Sequence, residues 1–506
     1  MKSALSIDSK HPHERVSPRQ NPLRRLSRLP NPIRALICAI GGGLARVDLV
    51  DRERARRTAD LSWPRIVTGI ARMSKNAVDV AMVGAVAGIN AINGVGLAGP
   101  FWGMAFSIGG GVAAGAIALV SQRYGADEYG EMAQAIRSSF ALVVLVTLPI
   151  AALFFLFPAE LIGVISSEPA TIEQGAAYLR IIAFGVPFAG LNLIGSRVYI
   201  AVDDAWTPMV VRSGGALTNI GLNAVFIFGL GMGVEGAATG TVLANVLVTG
   251  VFAGGLVFGS VPGTKDFPTR VNPVAGYLHR GMMRDLVEIG LPVTGRNSVW
   301  TVARFPMLAI VGMFGQTTLA AYIVARRIWG LMNTPGWGFG LAASSLVGQE
   351  LGAEDEADAE SYGVEITHLA VGTYAVFALL AAVFAEPIVE LFVNDPPGGT
   401  IPIAVGLVLV GAVAILPQAV KATMAGALTG AGDTRWPFYS QFLGMVVVAI
   451  PLAYLGATTS LGIWGLYLTL FAESTIPAAI NYYRFSTGKW RVISRDYRPG
   501  AAQTDD

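Results

Sequence analysis

The chain has 506 residues, 53% of them apolar and only 14% charged, with 61 glycines and a formal net charge of +2. A soluble domain carries about 25% charged residues, so this composition excludes an ordinary water-soluble domain and points to a chain solvated by lipid. The near-neutral balance gives no sign of a nucleic-acid partner, and the single cysteine, Cys38, excludes a disulfide within the chain and a cysteine-based metal site.

Residues 1–30 are polar, rich in Arg and without a continuous apolar core, so they do not read as a secretory signal and read instead as disordered. The stretch from Ile33 to Leu44 is apolar over about a dozen residues, too short for a bilayer that needs about 20. Arg34 and Arg46 flank it, and it reads as a helix lying at the membrane interface, with a structured tail as the alternative. The run Asp51-Arg52-Glu53-Arg54-Ala55-Arg56-Arg57 reads as a solvated helix face, with lipid-headgroup binding as the alternative. Residues 1–62 together form a basic tail.

Long apolar segments then recur at about 64–87, 94–122, 132–157, 173–202, 207–231 and 236–259. A polar linker with Pro262, Pro268 and Pro273 covers 260–284. A second set follows at about 285–313, 318–349, 361–385, 401–429, 436–456 and 462–485, ahead of a tail at 488–506. These are twelve spans, numbered here 1 to 12, in two bundles at 63–259 and 285–487. Loops between spans 2 and 3, 6 and 7, and 10 and 11 include Arg123, Lys265, Arg270, Arg280, Arg284 and Arg435; the opposite loops carry Glu160, Glu168, Glu173, Glu235, Glu386, Glu390 and Asp395. The Lys/Arg bias places both termini and the linker in the cytoplasm, and a multi-pass protein of the cell membrane is expected.

The two sets repeat. Leu119-Val120-Ser121-Gln122-Arg123-Tyr124-Gly125-Ala126 returns as Leu346-Val347-Gly348-Gln349-Glu350-Leu351-Gly352-Ala353, at an offset of 227. Asp204-Ala205-Trp206-Thr207-Pro208 returns as Asp433-Thr434-Arg435-Trp436-Pro437, at 229, and Val83-Gly84 as Val311-Gly312, at 228. Six spans per half is an even number, so both halves enter the membrane in the same direction and are parallel repeats. Two such bundles facing one another leave a central cleft, the architecture of alternating access.

Span 1 carries Asp79 within its apolar segment. A charge there is costly, which makes an intramembrane acid a candidate functional residue. Asp79 could take up and release a proton if desolvation raises its pKa, or ligate a hard cation through oxygen; the structural alternative is an acid paired to a neighbour. Asn219 and Asn223 are four apart in span 5 and share a helix face, with interhelical hydrogen bonding as their structural reading. Thr241 lies near the start of span 6.

Across about residues 62–487 the chain resembles the multidrug and toxic compound extrusion (MATE) transporters. The resemblance rests on Val78-Asp79 followed by Val83-Gly84, on the twice-used Leu-Val-x-Gln-x-x-Gly-Ala, on Ala431-Gly432-Asp433-Thr434-Arg435-Trp436-Pro437, and on the run from Asn219 to Gly229 leading to Gly233-Val234-Glu235-Gly236-Ala237-Ala238. It implies an all-α, V-shaped, twelve-helix antiporter that exports organic, often cationic, compounds in exchange for H⁺ or Na⁺. It also implies that Asp79 is a central coupling residue. Members with this aspartate often carry Asn-x-x-x-Asp in span 5 and a threonine at the place of Thr241; the second acid is replaced here by Asn223, leaving one carboxylate with amide and hydroxyl oxygens. Asp79, Asn219, Asn223 and Thr241 are therefore the expected ion-coupling group, and a Na⁺ site if the ion is sodium. Adding the repeat offset to Asp79 gives Met307, and to Asn219 and Asn223 gives Val448 and Leu452. Where some members place a span 7 glutamate, this chain has Trp300. Coupling is expected in the N-terminal half.

Span 7 holds Arg296 and Arg304, eight apart and close to one face, and span 8 holds Arg326 and Arg327. They could meet an anionic group, but snorkelling or a structural ion pair is the favoured reading, applied equally to Arg180, Arg197 and Arg212. Glu473 in span 12 is a lesser acid and reads as structural. Phe101, Trp102, Phe184, Phe188, Trp300 and Trp337 are candidates to line an apolar cleft that accepts cationic aromatics. The expected function is a secondary active efflux antiporter for small organic, cationic compounds, working as a monomer in membrane lipid, with no nucleic-acid partner and no cofactor beyond the coupling ion. A flippase for a lipid-linked glycan is the alternative. An intramembrane enzyme ranks below both, because no nucleophile motif, paired histidines or paired acids stand in the spans.

Overall fold

The computed structural model describes residues 31–392 and 399–500. The stretch 1–30 read as disordered, Asp395 of the acid-bearing loop and the end of the tail at 501–506 lie outside the described residues. Among the described residues the regular structure is helical, apart from one isolated bridge between Ser260 and Asp266.

The twelve spans run over 52–87, 90–125, 129–156, 169–201, 206–229, 233–258, 280–312, 316–352, 356–383, 400–430, 435–458 and 463–486. Eight are individually long and apolar enough to cross a membrane. The other four carry charge or breaks. Span 1 holds Arg65, Arg72, Lys75 and Asp79. Span 5 ends in a π-helical turn at Val225–Gly229, which begins two residues after Asn223, a distortion that recurs at functional sites. Span 7 breaks at Ala303, ahead of Pro306, and span 8 breaks at Asn333, ahead of Pro335, where the ring removes a helical donor.

The helix of span 1 starts at Arg52, well before its apolar segment, because Asp51 caps it: the carboxylate accepts from the backbone N–H of Glu53 at 2.8 Å and of Arg54 at 3.0 Å. The charged run is thus the first turns of span 1, and two of its arginines are engaged in ion pairs. Arg54 pairs with Asp358 and Glu365, and Arg57 with Asp203 and Glu350. These pairs join elements of both halves, so the run does more than face solvent. Spans 1 and 2 are joined through Gly88, at φ 73° and ψ −168°, a conformation open to glycine but strained for a side chain.

Ahead of span 1, helix Pro32–Leu44 is capped by Asn31, which accepts from Ile33 and Arg34. It packs on spans 1 and 9 through buried Ile37, through Gly41 against Ala55, and through Ile40 against Gly372. The linker folds onto the same end of the bundle: Phe267 N–H donates to the Gly259 carbonyl, the Phe267 ring meets Tyr199 edge-on, and Val261, Phe267 and Val271 are buried. After span 12, the short helix Lys489–Arg495 turns back and stacks Trp490 on Phe485 at 4.9 Å.

The glycines of span 2 show where the halves meet. A Cβ on Gly111 or Gly115 would strike the backbone of span 7, and one on Gly125 would overlap the Gln349 carbonyl. Reciprocally, a Cβ on Gly352 would overlap the Gln122 carbonyl. Spans 1 and 8 close the same way, Gly338 lying against the Ser62 carbonyl. Toward the other end of span 2, Gly96, Gly99 and Gly103 face open space. The halves are therefore pressed together at the end that carries the described parts of both tails and the linker, and the central cleft opens away from it.

Candidate functional site

Asp79 sits on the cleft-forming span 1, nine residues before the Gly88 break. Its carboxylate has two partners. Oδ2 pairs with Lys75 Nζ at 2.7 Å, one turn back on the same helix, and Oδ1 accepts from Asn223 Nδ2 at 2.9 Å. Both Lys75 and Asp79 side chains are 18% exposed. Asn219 stands beside them, 3.1 Å from Thr241 Oγ1. With its amide turned over, Asn219 Nδ2 donates to Asp79 Oδ1 at 3.2 Å while its oxygen faces the hydroxyl and backbone N–H of Thr241. That orientation leaves no oxygen facing an acceptor and is the chemically consistent one. The structure thus brings the four expected residues, Asp79, Asn219, Asn223 and Thr241, into one hydrogen-bonded group across spans 1, 5 and 6.

One atom in this group is unused. Asn223 Oδ1 is buried and has no hydrogen-bond partner, and it fits only because Gly240 lacks a side chain, since a Cβ there would overlap that oxygen. Beyond the group, Val83, Ala91, Ile227, Val234 and Ala237 form a small apolar core, with Met82, Val95 and Tyr178 packed on it. The matching place in the other half is Met307, which is buried in the main apolar core.

Lys75 is the partner that the sequence reading missed. The signal was present: a cation four residues before an acid on a helix is a neighbour on the same face. Arg65 and Arg72 were missed as well. They precede Asp79 by two and one heptads, which at 3.6 residues per turn returns them to nearly the same stripe. Both lie over Trp337 of span 8, Arg72 at 4.6 Å and Arg65 at 5.7 Å from the ring centre. Arg197 of span 4 and Arg212 of span 5 lie within electrostatic range of them. Of the two structural readings for Arg197 and Arg212, snorkelling or an ion pair, the ion pair is absent: among the described residues, neither has a carboxylate partner, and Nη1 of each is buried without a hydrogen bond. Arg180 is exposed.

The C-terminal half behaves differently. Glu473 is paired with Arg326 at 2.6 Å, and its carbonyl accepts from Lys421 at 3.3 Å. Arg304 lies 3.9 Å over the Trp300 ring, and Arg296 has no acid partner among the described residues. This corrects the expectation that Trp300 and Trp337 offer their faces to a cationic ligand, because the protein's own arginines occupy them. The other aromatics are dispersed: Phe101 packs on Phe154, Phe184 on Phe155, and Phe188 lies half-buried on span 4, its carbonyl accepting from Thr249. Among the described residues no three His, Cys, Asp or Glu side chains gather in one place, so a cation at Asp79 would rest on one carboxylate with neutral oxygens.

The comparisons with known proteins agree with this architecture. The MatE family model matches residues 64–225 and 292–455, once in each half. A protein of Bradyrhizobium diazoefficiens named probable multidrug resistance protein NorM is 26% identical over 448 residues, covering 86% of this chain and 94% of the relative. A like-named protein of Rhodopseudomonas palustris is 27% identical over 431 residues, covering 84% and 90%. The crystal structure of MATE in the bent conformation superposes with a TM-score of 0.79 at 19% identity, covering 88% of this chain and 97% of the other. With the model matched in both halves and the helices repeated as it requires, the chain belongs to the MatE family of membrane transporters.

Proposed function

We propose that this protein is a secondary active exporter of small organic compounds, working by alternating access and driven by protons taken up at Asp79. The names of the relatives, multidrug resistance proteins, support export of foreign compounds. The Lys/Arg bias of the loops supports a cell-membrane location with both termini inside. The cleft then opens outward, and the end pressed shut is the cytoplasmic one. One chain supplies both walls of the cleft, which supports action as a monomer.

The observation that carries the coupling is the Lys75–Asp79 pair. A sodium ion at Asp79 would place a second cation on a carboxylate that already holds an ammonium. A proton does the reverse: it neutralises Asp79, releases Lys75, and turns the carboxyl into a donor. Asn223, by turning its amide, offers the unused Oδ1 as the acceptor. Protonation therefore rewires contacts among spans 1, 5 and 6, the kind of local change that can bias a two-state fold.

The test is transport into proteoliposomes with pH and sodium gradients imposed separately. Export should follow the pH gradient and ignore the sodium gradient, and Asp79→Asn should abolish gradient-driven transport while assembling normally. Normal gradient-driven transport by that variant would refute the reading.

A further inference from the structure

We propose that the cleft takes a substrate with an anionic, phosphate-like head group, held by Arg65, Arg72, Arg197 and Arg212 of spans 1, 4 and 5. The proposal rests on the exporter reading for what the cleft is for, and it reverses the charge expected of the substrate from the sequence. Arg65 is 7% exposed, and its Nε and Nη1, together with Nη1 of Arg197 and of Arg212, are buried donors without a hydrogen-bond partner. None of the four arginines has a carboxylate within ion-pair distance among the described residues. Buried polar groups are almost always satisfied, and a charge inside a membrane protein is normally paired. Four guanidinium groups within electrostatic range of each other, three of them with orphaned donors, are a site lacking its counter-charge.

A cation cannot fill it. Asp79, the acid of span 1 that shares a stripe with Arg65 and Arg72, is already paired with Lys75, and the face of Trp337 is covered by Arg65 and Arg72. The opposite half repeats the sign: of Arg296, Arg304, Arg326 and Lys421, only Arg326 has a carboxylate partner among the described residues, Glu473. Guanidinium forks match the spacing of oxygens on a phosphate or carboxylate. Among these, a phosphate-like group carries enough charge and enough acceptor oxygens to engage several forks at once. The same chemistry is available from a lipid phosphate or from a soluble phosphorylated compound.

The experiment uses the full chain in nanodiscs of neutral phosphatidylcholine, with three probes: dodecyl phosphate, dodecyltrimethylammonium with the same tail, and inorganic pyrophosphate. Binding is read at equilibrium without any gradient, so it fails or succeeds independently of proton coupling at Asp79. Dodecyl phosphate should bind at least tenfold more tightly than dodecyltrimethylammonium. Arg65→Gln, Arg197→Gln and Arg212→Gln should each weaken it by tenfold or more, and Arg212→Lys, which keeps the charge and loses the fork, should weaken it less. Pyrophosphate competing with the probe would indicate a soluble source, and competition only by phosphatidic acid added to the discs a lipid source; both support the site. Equal or tighter binding of the ammonium probe, or unchanged phosphate binding in the glutamine variants, would overturn it. Should those variants not assemble, the phosphate-to-ammonium ratio on the native chain decides alone.

Discussion

Gln122 and Gln349 bind the two halves by reaching into each other's bundle. Gln122 Nε2 donates to the Gly430 carbonyl at 2.8 Å, and Gln349 Nε2 donates to the Ala201 carbonyl at 2.9 Å. Gly430 and Ala201 are the last residues of the fourth span in each half, so the repeated motif makes the same bond twice, once in each direction. Both amides are buried. Parting the halves at this end would expose them to water or leave them unpaired at about 1–3 kcal/mol each. The crossing is tight because Gly125 and Gly352 let each backbone lie on the other's glutamine carbonyl.

Gly352→Ala should therefore open this end. Its Cβ would overlap backbone, which cannot swing aside as a side chain can, and overpacking of this kind costs about 1–3 kcal/mol. That corresponds to roughly a tenfold to hundredfold shift away from the closed arrangement. Spin-label distances across the two halves at this end should lengthen. A distribution identical to the native one would show that the glutamine crossing does not hold the halves.

Lys75→Met should change the ion, not only the rate. Without the ammonium, Asp79 is left with the neutral side chains of Asn223 and Asn219, the latter backed by Thr241, and together these offer oxygens suited to a hard cation. Sodium should raise the melting temperature of this variant in detergent and leave that of the native protein unchanged. Stabilisation of the native protein by sodium to the same degree would show that Lys75 does not guard the carboxylate.

Gly240→Ala should mimic loss of the Asp79 carboxylate while leaving Asp79 in place. The added methyl overlaps Asn223 Oδ1 and must push that amide away from Asp79. Proton-driven transport should fall at least tenfold, with assembly intact. Native transport rates in this variant would show that the Asn223–Asp79 bond is dispensable.

Asp433 gives a pH signature at the end where the two halves are pressed together. Burial raises its carboxyl above the ordinary value of 3.8, the opposing hydrogen bond from Arg484 at 2.6 Å notwithstanding. A raised folded pKa means that the folded state holds the proton more tightly than the unfolded chain. Its stability contribution is complete below the unfolded value and is lost as the pH rises through the folded one. Asp433→Asn cannot titrate, so the native protein should gain melting temperature relative to this variant as the pH is lowered toward 3.8. A constant difference across that range would contradict the assigned shift.

The fold was largely legible in the sequence because lipid imposes a simple rule: backbone polar groups must be satisfied within the segment, so apolar length maps onto helices. Asp79, Asn219 and Asn223 were legible for a related reason, since polar groups in an apolar background stand out. The i,i+4 pairing of Lys75 with Asp79 was also in the sequence, as helix geometry alone puts those two side chains together. What periodicity cannot supply is which faces of separate helices meet. Only the tertiary structure decided that Asn223 of span 5 reaches Asp79 of span 1, and that Trp337 of span 8 is covered by Arg65 and Arg72. It alone decided that Arg197 and Arg212 have no acid opposite them among the described residues while Arg326 has Glu473. An arginine reads the same in sequence whether it is paired or bare, because its partner, or the absence of one, comes from a helix far away in the chain.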